Sequence, residues 1–224
     1  MWAVTATPTI GKQMQEHFQR VASHLKTLGI RLHMEIQPPA SSQDVKSAES
    51  RLELSLPPSY VEFVTTVANG LTVRWRADDG PLACFEMPPL SESVDGLLSM
   101  RDWRFYSEEK AKEYRFPYVD DSELAIETNR RMHYWLPFQA EGNGDNLSVN
   151  LHRAGQGQII FDQHDWLDGG TGANGLLMAD TMPEFIESWA SVCFCHPKSL
   201  WWKSVITEDG VDWGSDEFDP HFRT

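Results

Sequence analysis

Cysteine is scarce in this chain: Cys84, Cys193 and Cys195 are the only three among 224 residues. An odd, sparse count cannot form a fully paired disulfide framework and suits a reducing compartment. Long apolar runs are also missing. No window approaches the roughly 18 uninterrupted apolar residues of a membrane-spanning helix. The opening Met1-Trp2-Ala3-Val4-Thr5-Ala6-Thr7-Pro8 has neither a basic stretch nor a long apolar one, so no secretory signal is expected. These absences together lead to an expected place in the cytoplasm.

Positive charge is the third shortage. Lys and Arg number 19 against 33 Asp and Glu, a net charge of −14 with neutral histidines. Such a field repels nucleic-acid phosphates and speeds association with a basic partner. Acidity also serves plain solubility. The expectation is a protein partner, with no nucleic acid and no membrane, for a monomer or weak dimer.

Catalytic signatures are absent as well. There is no G-x-S-x-G elbow, no H-E-x-x-H and no phosphate-binding G-x-x-x-x-G-K-[ST]. Ser107-Glu108-Glu109-Lys110 matches S-x-x-K without its companion motifs, and reads as the start of a short helix through Tyr114. Cys193-x-Cys195-His196 offers three soft ligands but no second pair, so the cysteines read as buried structural residues. Asp162, Asp165 and Asp168 with His164 between them form the best constellation for a cation or an acid/base pair. Their spacing lacks the alternation of an EF-hand loop, and they read as a solvated acidic loop. The reading is therefore not an enzyme, with no catalytic residue, metal or cofactor.

What is present is ample core material: 41 % hydrophobic residues, with nine Trp, eleven Phe and five Tyr. Met14, Phe18, Val21, Leu25 and Leu28 recur at helical spacing, and Gly29 follows as a stop. Ser41 with Asp44 is a capping pattern for a second helix carrying Val45, Ala48 and Leu52 inward. Leu56-Pro57-Pro58 launches a third, with Tyr60, Phe63, Val64 and Val67 on its buried face and Asn69-Gly70 at its end. Leu71 to Trp75 alternates like a strand, Asp78-Asp79-Gly80-Pro81 is a turn, and Leu82 to Met87 returns. The stretch from Ser91 to Asn129 has no clear pattern.

Sheet signals resume at Tyr134 to Phe138. After the turn Gly142-Asn143-Gly144-Asp145, apolar Leu147, Val149 and Leu151 alternate with polar Ser148, Asn150 and His152. Gly155-Gln156-Gly157 connects to Gln158 through Asp162 as an antiparallel hairpin. Gly169-Gly170-Thr171-Gly172 leads on to Leu176, and Thr181-Met182-Pro183-Glu184 opens a closing helix through Phe185, Ile186 and Trp189. Helices first, strands next and a helix last predict an α+β fold: N-terminal helices on a mainly antiparallel β-sheet, with a closing C-terminal helix.

Val45-x-x-Ala48-Glu49-x-x-Leu52-x-Leu54-x-Leu56-Pro57-Pro58-Ser59-Tyr60-x-x-Phe63, ending in Asn69-Gly70, resembles the opening signature of the SMI1/KNR4 family, also called the SUKH superfamily. Leu136-Pro137-Phe138, Gly144-Asp145-x-Leu147-x-Val149-x-Leu151 and Gly157-Gln158-Ile159 look like its sheet. Ala179 to Ile186, with Phe185, looks like its closing helix. The resemblance implies residues 36–195 as the domain, 1–35 as a helical extension, and 196–224 as an acidic, Trp-containing tail packed on it.

It also implies binding. Many bacterial members of the family resemble immunity proteins that neutralise cognate toxins, often nucleases, while fungal relatives act as hubs in cell-wall assembly. The expected role is an immunity-type module occluding a basic toxin. The candidate face is Asp78, Asp79, Asp162, Asp165 and Asp168, with the tail beside it. A regulatory scaffold is the alternative, and a metal-dependent enzyme using the 162–168 loop is a third. Trp75, Trp103, Trp135, Trp166 and Trp201-Trp202 read mostly as core, with one or two left as exposed anchors.

Overall fold

The structure is a computed structural model, and it describes residues 10–78, 80–103, 130–141, 144–163 and 175–224. The Ser107 helix, the 169–172 glycine run, Trp166 and the side chain of Trp103 lie outside the described residues.

Helix α1 (Ile10–Thr27) buries Met14, Phe18, Val21 and Leu25 on one stripe. Leu28 falls beyond its last turn and is exposed, a departure from the predicted stripe. Gly29 takes φ +73°, so the chain turns where a Cβ would resist it. The short β1 (His33–Ile36), in which Met34 and Ile36 alternate with His33 and Glu35, adds an edge strand.

Helix α2 (Ser42–Leu52) opens on a complete capping box, Ser41 Oγ accepting from Asp44 N–H while the Asp44 carboxylate accepts from Ser41 N–H. At its far end Glu53 enters the left-handed region at φ 55° and donates its N–H to Glu49 O. The Glu49 side chain accepts from Leu56 N–H at 3.0 Å. That carboxylate pins the turn which Pro57 then stiffens into helix α3 (Pro58–Thr66). Tyr60 and Phe63 are fully buried, and burial pushes the Tyr60 phenol upward. Asn69 Oδ1 accepts from Leu90 N–H at 2.8 Å, satisfying an orphan donor at the start of α4 (Leu90–Trp103).

Strands β2 (Leu71–Arg76) and β3 (Leu82–Met87) join β1 in an antiparallel sheet ordered β1-β2-β3. Strands β4 (Trp135–Ala140), β5 (Asn146–Asn150), β6 (Ile159–Asp162) and β7 (Leu176–Ala179) form a second antiparallel sheet in sequence order. The sheets meet at β3 and β4, where the Gln139 amide stands in for a ladder. Its oxygen accepts from Glu86 N–H at 2.6 Å and its nitrogen donates to Cys84 O at 3.2 Å. Gly144 bends the β4–β5 turn at φ 95°, and Asp145 O accepts from Glu141 N–H.

The alternation in β5 does not separate core from solvent. Ser148 and Asn150 are buried along with Leu147 and Val149, because this strand lies inside its sheet with both faces covered. The fold is α+β with antiparallel sheets, as the order of elements predicts.

The closing helix α5 (Met182–Ser191) is capped by Thr181, which accepts from Glu184 N–H. Its Phe185 and Trp189 sit at the centre of an aromatic cluster with Phe138, Phe194, Trp202 and Trp213. Full burial of each such ring is worth about 1.5–3 kcal/mol. Cys193 and Cys195 lie just past the helix, both fully buried. The indoles of Trp75 and Trp189 donate to their carbonyls at 2.8 and 2.7 Å. Burial pushes the Cys193 thiol up to about 12, so at neutral pH it is an inert packing group.

Candidate functional site

Of the five aspartates expected to form an acidic face, the described residues include two, Asp78 and Asp162. Asp78 is exposed on the β2–β3 turn, but Asp79, Asp165 and Asp168 lie outside the described residues. Asp162 is the correction. It ends β6 opposite Asn146 and is only 1 % exposed, so it belongs to the sheet interior and not to a solvated loop. The strand ends at Asp162 as its hairpin pattern predicts, but that end is covered and not solvated. Among the described residues no three His, Cys, Asp or Glu side chains are grouped to hold a metal.

What the structure does bring to the surface is the start of the C-terminal tail. Trp202 is 1 % exposed and meets Trp189 edge-on at 5.0 Å. Its neighbours in sequence point the other way: Leu200 is 63 % and Trp201 40 % exposed. The chain bends here: Leu200 is left-handed, Trp201 is extended and Trp202 opens a single 3-10 turn (Trp202–Ser204), so Trp202 enters the core while the two residues before it stay outside.

The projecting turn is held firmly. Leu200 N–H donates to Pro197 O at 2.8 Å, Ser204 Oγ to Trp201 O at 2.8 Å, and Ser199 N–H to the Glu217 carboxylate at 2.9 Å. Leu200 itself sits at φ 57°, a conformation costing a non-glycine residue about 1–2 kcal/mol. Two local bonds and one reaching across the tail to Glu217 hold that strain, and its result is two large apolar side chains presented to solvent.

Beside Leu200 opens a cleft of about 450 Å³, lined by Gly80, Pro81 and Leu82 of the hairpin that carries Asp78, and by Pro197, Lys198 and Asp219 of the tail. Asp219 accepts from the His221 backbone N–H and contacts its ring, which together hold its carboxyl below the usual range. Glu208, Asp209, Asp212 and Asp216 are exposed further along the same tail. The arrangement is an apolar projection beside a cleft, with carboxylates on both walls' elements.

The sequence profile of the SMI1/KNR4 family (SUKH-1) matches residues 39–188, well over half of the chain. The chain belongs to the SMI1/KNR4 family. No curated protein matches it in sequence. The matched segment runs from Pro39 through most of α5, and so includes Glu49, Leu56, Pro57, Tyr60, Asn69, Gly70 and Phe185 of the signature. Their roles in this SMI1/KNR4 chain are structural: caps, a pinned turn and buried rings. The Leu200–Trp201 projection lies beyond the match, on an element the family profile does not cover.

The sequence left open which tryptophans are exposed. The doublet Trp201-Trp202 did not say which indole is buried, because that is set by the left-handed Leu200 and the 3-10 turn from Trp202.

Proposed function

We propose that this chain is a non-enzymatic protein-binding module of the immunity type, which acts in the cytoplasm as a monomer or weak dimer and neutralises a basic toxin by covering it. The observation that carries this reading is the rigid Leu200–Trp201 projection in an acidic tail, mounted on a SMI1/KNR4 core. Tryptophan anchors surrounded by polar rims dominate binding energy at protein interfaces. The net charge of −14 steers a basic partner toward such a rim and repels acidic competitors. None of the described helices is long and apolar enough to cross a membrane.

The test is retrieval by the tagged full chain from its native lysate at low and high salt, with the retained proteins identified by mass spectrometry. A single basic protein with toxin activity that the chain abolishes, held less firmly at high salt, is the expected result. Recovery of several host proteins without any toxin would replace immunity by a regulatory scaffold on the same fold. Retention of no protein would end both.

A further inference from the structure

A second cavity, of about 560 Å³, lies at the opposite sign of charge from the rest of the molecule. Arg101, Arg130, Arg131, His133 and His152 line it, and Glu53 is the one carboxylate among its described lining residues. In a chain with 19 Lys and Arg against 33 Asp and Glu, three arginines against one carboxylate around one opening, with two histidines beside them, is a local inversion of the field.

The elements that build it are remote in sequence. Arg101 comes from the last turn of α4, and Glu53 from the left-handed cap of α2. His133 and Tyr134 come from the approach to β4, and His152 from just past β5. Arg101 is fixed in place: its Nε donates to His133 O at 2.8 Å and a terminal nitrogen donates to Leu52 O at 3.4 Å. Both acceptors are carbonyls. Burial pushes this guanidinium downward, with Tyr134 and Glu53 working against the shift, so its charge is incompletely compensated at the cavity wall.

Arg130 and Arg131 are exposed at the rim. They and His133 also make other contacts within the protein; what recommends the site is the convergence of charge on open space. Tyr134 and His152 meet edge-to-face at 5.2 Å and give one wall two ring surfaces.

We propose that this cavity binds a phosphate-bearing small molecule of nucleotide size. Guanidinium forks match phosphate oxygens in bidentate geometry, and the volume falls within the range of small-molecule sites, about 300–1,000 Å³. The two rings stand at 67° to each other, so a base would stack on one ring face and not on both. A bound polyanion would bridge α2, α4 and the β4–β5 sheet, elements that already pack together and that Arg101 also ties.

The experiment is calorimetric titration of the full chain with pyrophosphate and with ATP, each without divalent metal and at constant ionic strength in chloride. Saturable binding with Kd below about 1 mM is expected for at least one probe. Arg130→Gln with Arg131→Gln should weaken it by at least about tenfold, while Arg74→Gln on β2 leaves it unchanged. Equal affinities for the two probes would assign recognition to phosphate alone; a tighter ATP would add the base. Should the double variant fail to fold, pyrophosphate protection of Arg101, Arg130 and Arg131 from phenylglyoxal, mapped by mass spectrometry, gives the same answer. No saturable binding up to about 10 mM would overturn the proposal, as would unchanged affinity in the folded double variant. Binding of poly-glutamate with none of either phosphate would overturn it too, by making the site a seat for acidic protein.

Discussion

The tail projection and the arginine-lined cavity are built on opposite plans. One is convex, apolar at its tip and acidic around it, and lies outside the segment matched by the family. The other is concave and basic, and its lining residues lie inside that segment. Each has a non-glycine residue in the left-handed region, Leu200 at 57° and Glu53 at 55°. Glu53 is explained locally, since its N–H closes the end of α2 on Glu49 O. Leu200 is held mainly by tail contacts from Pro197 and from the neighbouring Ser199–Glu217 bond. The difference shows where the fold's own needs stop: the cavity is a by-product of helix ends meeting a sheet, whereas the projection costs strain that the core does not require.

The comparison breaks most visibly at adjacent tryptophans. Trp202→Ala removes a buried ring from the aromatic cluster and should cost about 3–5 kcal/mol in urea unfolding. Trp201→Ala, one residue away, should change stability by less than about 1 kcal/mol. Similar losses for the two would mean that Trp201 is a packing residue and not an anchor.

A second, smaller effect sharpens the cavity side. Ser41→Ala should cost about 1 kcal/mol by uncapping α2, whose other end lines the cavity. The Asp44 carboxyl is held below its ordinary 3.8, first by the Ser41 hydroxyl and then by the Ser41 N–H. Because the folded value is the lower one, this contribution is complete above the ordinary value and is lost as pH falls through and below it. In Asp44→Asn the acid limb of the stability curve should flatten in that window, with the tail unaffected. An unchanged acid limb would detach the cap from α2 stability.

The smallest expected effect separates strain from function. Leu200→Gly relieves the left-handed cost but loosens the unfolded chain, so thermal unfolding should move by less than about 1 kcal/mol in either direction. Partner binding should nevertheless fall, since the apolar contact is gone. A variant that loses stability heavily would place Leu200 among the packing residues.

Much of the fold was legible because local chemistry and tertiary packing agree. The Ser41 and Thr181 caps, the Leu56-Pro57 turn and the Met14-to-Leu25 stripe act at short range, and the structure keeps them all. Strand β1 was missed although Met34 and Ile36 alternate with His33 and Glu35, because it is only four residues long and His33, Glu35 and Ile36 are all exposed. Helix α4 was hidden by its serines and by Gly96, where an added Cβ would stand 3.3 Å from Pro137 on β4; that glycine allows close packing while weakening the helical signal. Asp162 was placed on its strand but misread as solvated, because charge spacing carries no information on whether a strand end is covered. The cavity was beyond sequence reading, since Arg101 and His152 are brought together only by the packing of α4 beside the second sheet.

The central claim is that Leu200 and Trp201 are the anchor for a basic protein partner, and the most direct measurement places a photo-cross-linking amino acid at position 201 of the full chain in its native host. Cross-links to one basic protein, abolished when Leu200→Ala is added and absent from a probe at Lys46 on the exposed face of α2, are the predicted result. Equal cross-linking from both positions, or none from position 201, would contradict it.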